Sequence, residues 1–258
     1  MPRFAANLSF LFQDLPFLDR FAAAASAGFK GVEFMFPYAV PATEIRARLE
    51  AHGLELVLFN LPPGHWDKGE RGFAALPGRE DEFAAAVDLA LGYAEALRCP
   101  RLHVMAGLMD HGAARETYVA NLRLAADWAA PLGIDILIEP INTKDMPGYF
   151  LTCTAEARDV IAEAGAPNLG LQFDLYHRHV MEGDVARAIA EFAALTRHYQ
   201  CADPPDRGEP STGVIDYARL FREIDATGYS GWIGCEYKPR ADTRDGLAWT
   251  AACGVTLG

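Results

Sequence analysis

Hydrophobic and polar positions follow two rhythms along this chain. Short runs rich in β-branched, aromatic and other apolar residues fall at 4–8, 31–36, 54–60, 101–106, 134–139, 169–174, 196–202 and 231–237, and predict strands. Between them, apolar residues recur at helical spacing over 15–27, 42–52, 79–98, 115–132, 155–164, 185–195 and 215–227, with a last helix after Thr243. Strand–helix units of about 32 residues, repeated eight times, are the count of a (β/α)8 barrel. The stretch Ile134-Asp135-Ile136-Leu137-Ile138 is nearly continuous in apolar character, as a parallel strand covered on both faces should be. Gly28, Gly53 and Gly133 each follow a helical pattern and precede a strand, where a positive φ is expected. An open doubly wound sheet is the structural alternative. It would put a glycine-rich phosphate loop after the first strand, and Asn7-Leu8-Ser9-Phe10 is unlike one.

No linker divides the pattern, so one domain over 1–258 is expected. The one long irregular stretch, LPPGHWDKGERGFAALPG at 61–78, follows the third strand, where a long loop points to function. The chain is 51% apolar and 22% charged, which excludes disordered, collagenous and low-complexity architectures. Its net charge of −12 lacks the basic face that a phosphate backbone requires, so nucleic acid is not an expected partner. The cysteines, Cys99, Cys153, Cys201, Cys235 and Cys253, are scattered with no CxxC, which suits reduced thiols in a cytoplasmic protein. Neither a signal peptide nor a membrane span is expected.

In a barrel of this kind the chemistry sits at the carboxyl ends of the strands. Those ends carry Asn7, Glu33, Asn60, Glu139, Asp174, Gln200 and Glu236. Glu139 in IEPIN, Asp174 in FDLYH, Gln200 in HYQCAD and Glu236 in CEYKP close apolar runs on strands five to eight. Adjacent buried carboxylates need a shared cation, because each alone costs several kcal/mol to bury. An all-oxygen set suits one divalent ion such as Mg²⁺ or Mn²⁺. The alternative is that each is paired with its own Arg or Lys. His177, three residues after Asp174, either faces the same pocket and donates to a substrate oxygen or caps a helix. His103 in LHVMAG either points into the barrel mouth or is a core histidine, with the core reading preferred. Arg207, in DPPDRGEPSTG, is a candidate fork for a substrate carboxylate, and Lys238 offers a second cation; both could equally be solvated. Arg71 and Trp66 are candidates to close over the pocket. No GxSxG elbow, P-loop or cysteine nucleophile context is present.

The segments IEPIN, QFDLYH, NLPPGHWDKGERGFAALPGRE, GVEFMFPY and GWIGCEYKP resemble, in order and over nearly the whole chain, the hydroxypyruvate isomerase family of xylose-isomerase-like barrels. The resemblance implies a metal-assisted aldose–ketose type isomerase that interconverts hydroxypyruvate and tartronate semialdehyde. It carries the metal ligands onto Glu139, Asp174, Gln200 and Glu236, the proton-shuttling pair onto Glu139 and Glu236, and substrate contacts onto His177 and Arg207. The chemistry so implied is proton transfer through an enediolate, with a metal-mediated hydride shift as its rival. A 2-oxo-tetronate isomerase or a ketose 3-epimerase would use the same groups. A metal-dependent DNA nuclease on the same barrel would want more histidines and a basic groove. Expected partners are a small sugar-acid substrate and, in a homo-oligomer, further copies of the chain. One departure stands out: relatives usually read GTGE where this chain reads Ser211-Thr212-Gly213-Val214.

Overall fold

In a computed structural model, which describes residues 2–257, the eight strands close in sequence order into a parallel barrel, β1 pairing with both β2 and β8. The strands are β1 (Arg3–Asn7), β2 (Gly31–Phe34), β3 (Glu55–Asn60), β4 (Arg101–His103), β5 (Asp135–Ile138), β6 (Leu169–Asp174), β7 (Thr196–Cys201) and β8 (Trp232–Cys235). All lie within the predicted runs, apart from Arg3 one residue before the first. Several are shorter than predicted, because the apolar residues after β2, β4 and β8 pack in the loops at the barrel mouth.

The outer helices are α1 (Arg20–Ser26), α2 (Ala42–His52), α3 (Glu80–Leu97), α4 (Arg115–Ala129), α5 (Thr154–Ala164), α6 (Leu175–Glu182), α7 (Val185–Phe192) and α8 (Tyr217–Ala226), followed by the short α9 (Thr243–Gly246) and α10 (Trp249–Cys253). Their buried stripes follow the helical period: α3 turns Phe83, Ala86, Val87, Ala90, Leu91, Ala94 and Leu97 towards the barrel. The glycines after the helices take the expected positive φ, +104° at Gly28, +61° at Gly53 and +67° at Gly133.

One helix is absent from the sequence reading. Helix α6 begins directly after β6, with Asp174 as its N-cap and Gly183 after its last turn. Its first turn, Leu175-Tyr176-His177, is buried, so the residue three beyond Asp174 is held on a helix rather than in a loop.

Side chains alternate across each strand, so residues two apart share a face. The inward positions form a lower layer of small and apolar residues, among them Ala5, Leu58, Leu137 and Trp232, which pack together. The next inward positions up the barrel are polar: Asn7, Glu33, Asn60, His103, Glu139, Asp174, Gln200 and Glu236. All but Glu236 are buried. Among the described residues no helix is long and apolar enough to cross a membrane.

Candidate active site

At the carboxyl ends of the strands lies a cavity of about 140 Å³. Glu139, His177, Arg207 and Glu236 line it, together with Asn60, Trp66, His103 and Gln172. Apolar cover comes from Phe10, Met35, Met105, Ile141 and Met146.

Each acidic side chain is positioned by its element. Asp174 caps α6: its Oδ1 accepts from the backbone N–H of Tyr176 (2.7 Å) and His177 (3.2 Å). Its Oδ2 is left to face Arg207 Nη2 at 3.4 Å and His177 Nε2 at 3.6 Å. Glu236 accepts at Oε2 from Asn7 Nδ2 (2.9 Å) and Gln200 Nε2 (2.5 Å), and at Oε1 from Arg207. Glu139 is 4% exposed, and its Oε1 has no hydrogen-bond partner among the described residues.

Asp174, Glu236 and, at 4.0 Å, Asp145 thus converge on one guanidinium, with Glu139 outside its direct reach. Burial, then the neighbouring charges of Glu236 and Asp174, holds the Glu139 carboxyl well above the usual carboxylate range. Burial also raises Asp174, and raises Glu236 to about 8 although Arg207 pulls it down. Burial opposes the charge of Arg207, but Glu236 and Asp174 outweigh it. The excess of buried negative charge and the orphaned oxygen of Glu139 fit a divalent cation. The oxygen donors fit a hard one. Glu139, Asp174 and His177 can each offer an atom to a common ion, within 4.8 Å of one another.

The hydrogen bonds around His177 assign it a different role. Asn142 Oδ1 accepts from the backbone N–H of Asp145 at 2.8 Å, which fixes the sense of that amide. Its Nδ2 therefore donates to His177 Nδ1 at 2.5 Å, and the backbone N–H of Asn142 points to the same nitrogen at 3.4 Å. With Nδ1 the acceptor, the proton of the neutral ring is on Nε2. Burial, then the charge of Arg207, keeps the imidazole neutral. His177 consequently presents an N–H to the cavity, 3.8 Å from Glu139 Oε1.

Gln200 does not line the cavity. Its Nε2 is shared between Glu236 and Glu33 (2.8 Å to Glu33 Oε1), and its Oε1 accepts from Gln172 at 2.7 Å. Asn7 bridges the same two carboxylates, at 2.9 Å to each. Glu33 also accepts from His198 Nε2 at 2.6 Å. Gly234 makes room for it, since a Cβ there would stand 2.3 Å from Glu33 Oε1. His198 and Gln172 were not singled out from the sequence. Both lie two residues before an expected ligand, and strand alternation alone puts them on its face. Asn142 and Asp145 carried no such signal.

Arg207 sits on a loop whose base is closed by reciprocal backbone bonds between Asp203 and Gly208, 2.9 and 2.8 Å. Its guanidinium lies over Phe10 at 4.9 Å and Tyr176 at 5.5 Å. Lys238 is exposed and belongs to a separate surface cleft with Asp14 and Asp242, so it is not a second cation of this site. Its backbone N–H instead holds the Arg207 carbonyl at 2.7 Å. Trp66 lines the cavity, whereas Arg71 stacks on the indole from 4.0 Å and bonds the carbonyls of Trp66 and Glu70. Arg71 therefore braces Trp66 and does not itself line the cavity. The segment carrying them is clamped to the loop after β4: Ala75 N–H donates to the Ala106 carbonyl at 2.8 Å. Gly72, at φ +90°, leaves no room for a Cβ, which would meet the Met105 carbonyl oxygen at 2.3 Å. His103, preferred above as a core histidine, lines the cavity. Val214, at the departure from GTGE, is 72% exposed, so its side chain points away from the site.

Comparison with known proteins agrees with the barrel fold. The family described as xylose isomerase-like TIM barrel matches residues 21–253. A 2-oxo-tetronate isomerase of Cupriavidus necator is 53% identical over 96% of this chain and 97% of its own. A hydroxypyruvate isomerase of Escherichia coli is 46% identical over 96% and 98%. A crystal structure named as an AP endonuclease, family 2, from Brucella melitensis superposes with a TM-score of 0.95 at 50% identity, covering 98% of this chain and 99% of that one. The strand-end carboxylates, the barrel that presents them and these full-length similarities place the chain in the xylose isomerase-like TIM barrel family, among its hydroxypyruvate and 2-oxo-tetronate isomerases, and make it an isomerase.

Proposed function

We propose that the protein interconverts the 2-oxo and aldehyde or 3-oxo forms of a short sugar acid, with hydroxypyruvate and tartronate semialdehyde as the simplest pair. The observation that carries this reading is the pairing of Glu139 and Glu236, two raised carboxyls in one cavity, with Arg207 and the Nε2–H of His177 beside them.

Isomerisation moves a proton between adjacent carbons while the carbonyl moves the other way, leaving an enediolate between the two transfers. Glu139 and Glu236 are the groups that take and return the proton. Carboxyls with raised pKa can do both near neutral pH, each contributing roughly 10²–10⁴-fold. His177 donates from Nε2 to a substrate oxygen. Arg207 reads the carboxylate: its Nη1 lies 4.0 Å from Asp145 and retains N–H groups for a ligand. Trp66 and the methionines exclude water. Glu139, Asp174 and Glu236 are the residues that would hold one divalent ion, Mg²⁺ or Mn²⁺, with Gln200 joining them through Oε1 once that oxygen is released from Gln172. When bound, the ion supplies Lewis-acid stabilisation of the developing negative charge.

The resemblance to relatives named for 2-oxo-tetronate makes the four-carbon acids the first competing substrates. A ketose 3-epimerase would use the same two glutamates. The Brucella structure is named for a DNA-directed activity, but a net charge of −12 opposes a phosphate backbone. The test is a side-by-side assay of hydroxypyruvate, 2-oxo-tetronates, neutral ketoses and abasic DNA, after chelation and after restoring Mg²⁺ or Mn²⁺. Turnover of the acids that is lost on chelation and regained with the ion supports the reading. Full activity without any ion, or turnover of neutral ketoses or DNA alone, overturns it.

A further inference from the structure

His103 is a buried polar group left without a hydrogen-bond partner among the described residues. It ends β4, is 1% exposed, and neither Nδ1 nor Nε2 makes a hydrogen bond. The nearest acid, Glu139 Oε2, is 3.7 Å from Nε2, beyond hydrogen-bond reach. Buried polar atoms are nearly always satisfied, so an unpaired ring on the wall of a cavity calls for a ligand. An imidazole carries one donor and one acceptor nitrogen in its neutral form. A hydroxyl, which also donates and accepts, is its chemical match.

The barrel fixes which hydroxyl. In a closed barrel of eight strands, β4 lies across the mouth from β8. Glu236 follows β8, with the guanidinium of Arg207 against it. Asn60, at the end of β3, lies beside His103 on the opposite wall. A substrate whose carboxylate is held by Arg207 therefore extends its other end towards His103 and Asn60. In hydroxypyruvate both oxygens beyond the carboxylate take part in the isomerisation. A four-carbon 2-oxo acid has one oxygen more, a terminal hydroxyl that the reaction does not consume.

Resting on the isomerase reading above, we propose that His103 is a specificity-determining residue that binds the terminal hydroxyl of a four-carbon sugar acid and so selects it over hydroxypyruvate. The experiment compares the wild-type enzyme with His103→Leu and with His103→Gln, whose amide still donates and accepts. Each is assayed on a 2-oxo-tetronate and on hydroxypyruvate. Binding of the non-reacting acids threonate, erythronate and glycerate is measured by calorimetry, as is Mn²⁺ binding without substrate.

His103→Leu should lower kcat/KM on the four-carbon acid, and weaken four-carbon binding, by roughly tenfold or more, the worth of a lost hydrogen bond with its partner left buried. Hydroxypyruvate turnover and glycerate binding should stay within about twofold, as expected for ligands that never reached the ring. His103→Gln should recover part of the difference. The melting temperature of His103→Leu without ligand should not fall, because the ring it removes makes no hydrogen bond. Equal losses on both chain lengths, or no loss on either, overturn the proposal. So does a matching loss of Mn²⁺ affinity, which would make the ring a metal ligand. If wild type turns over neither acid, the isomerase substrate reading fails, and the calorimetric difference between four- and three-carbon acids still decides the role of His103.

Discussion

Replacing Glu33 tests whether the polar layer inside the barrel holds the strand-end carboxylates in place. Glu33 is 1% exposed and accepts from Asn7 Nδ2 at 2.9 Å, Gln200 Nε2 at 2.8 Å and His198 Nε2 at 2.6 Å. Each bond to a buried charged group is worth about 1.5–3 kcal/mol. The three are not additive, because Asn7 and Gln200 keep Glu236 as a second acceptor. Glu33→Ala then costs about 3–5 kcal/mol, most of it from the His198 donor stranded at 0% exposure. At ~2–4 °C per kcal/mol for a chain of this size, the melting temperature should fall by roughly 10 °C. Glu33→Gln keeps the shape and two acceptor contacts and should lose less than half of that. Gly234→Ala, whose Cβ would stand 2.3 Å from Glu33 Oε1, should reproduce the direction of the alanine variant without touching the carboxylate chemically. Differential scanning calorimetry with and without Mn²⁺ is the assay. A fall below about 3 °C for Glu33→Ala, or equal falls for Ala and Gln, would refute the claim that this network carries the layer.

Four further outcomes are expected. Arg207→Ala should lower kcat/KM on an acid substrate by roughly one to two decades, the worth of a charged hydrogen bond, and much less on a neutral ketose of equal length; equal losses would mean that it only shapes the loop. Glu139→Gln and Glu236→Gln should each lower kcat by about 10²–10⁴-fold, read together with bound metal, and near-normal turnover with metal present would sink the two-glutamate mechanism. Isomerisation in D₂O should place solvent deuterium on the product carbon, whereas complete retention of the original hydrogen would indicate a hydride shift. In the folded protein Cys153, the one part-exposed thiol among the described residues, should react first with a disulfide reagent. Cys99, buried and pushed up to about 12 by burial, should react only on unfolding; rapid modification of Cys99 would contradict the packing around it.

The sequence by itself determined the barrel. Apolar runs that must be covered on both faces, separated by helices with one apolar stripe, have few other ways to bury their surface. It also placed Glu139, Asp174 and Glu236 in one site, because strand ends share one rim of a parallel barrel. Helix α6 was missed: its pattern is short, and its first turn is buried on the strength of the Asp174 cap rather than of a long apolar stripe. What only the tertiary structure decided were relations between strands and loops distant in sequence. Gln200 is tied to Glu33 across 167 residues, which no local pattern encodes. Lys238, close to Glu236 in sequence, faces a different cleft, because β8 has ended by then and strand alternation no longer sets where its side chain points. The two histidines are told apart by their partners. His177 is a donor because Asn142 occupies its other nitrogen, whereas both ring nitrogens of His103, on the cavity wall, lack a hydrogen-bond partner among the described residues.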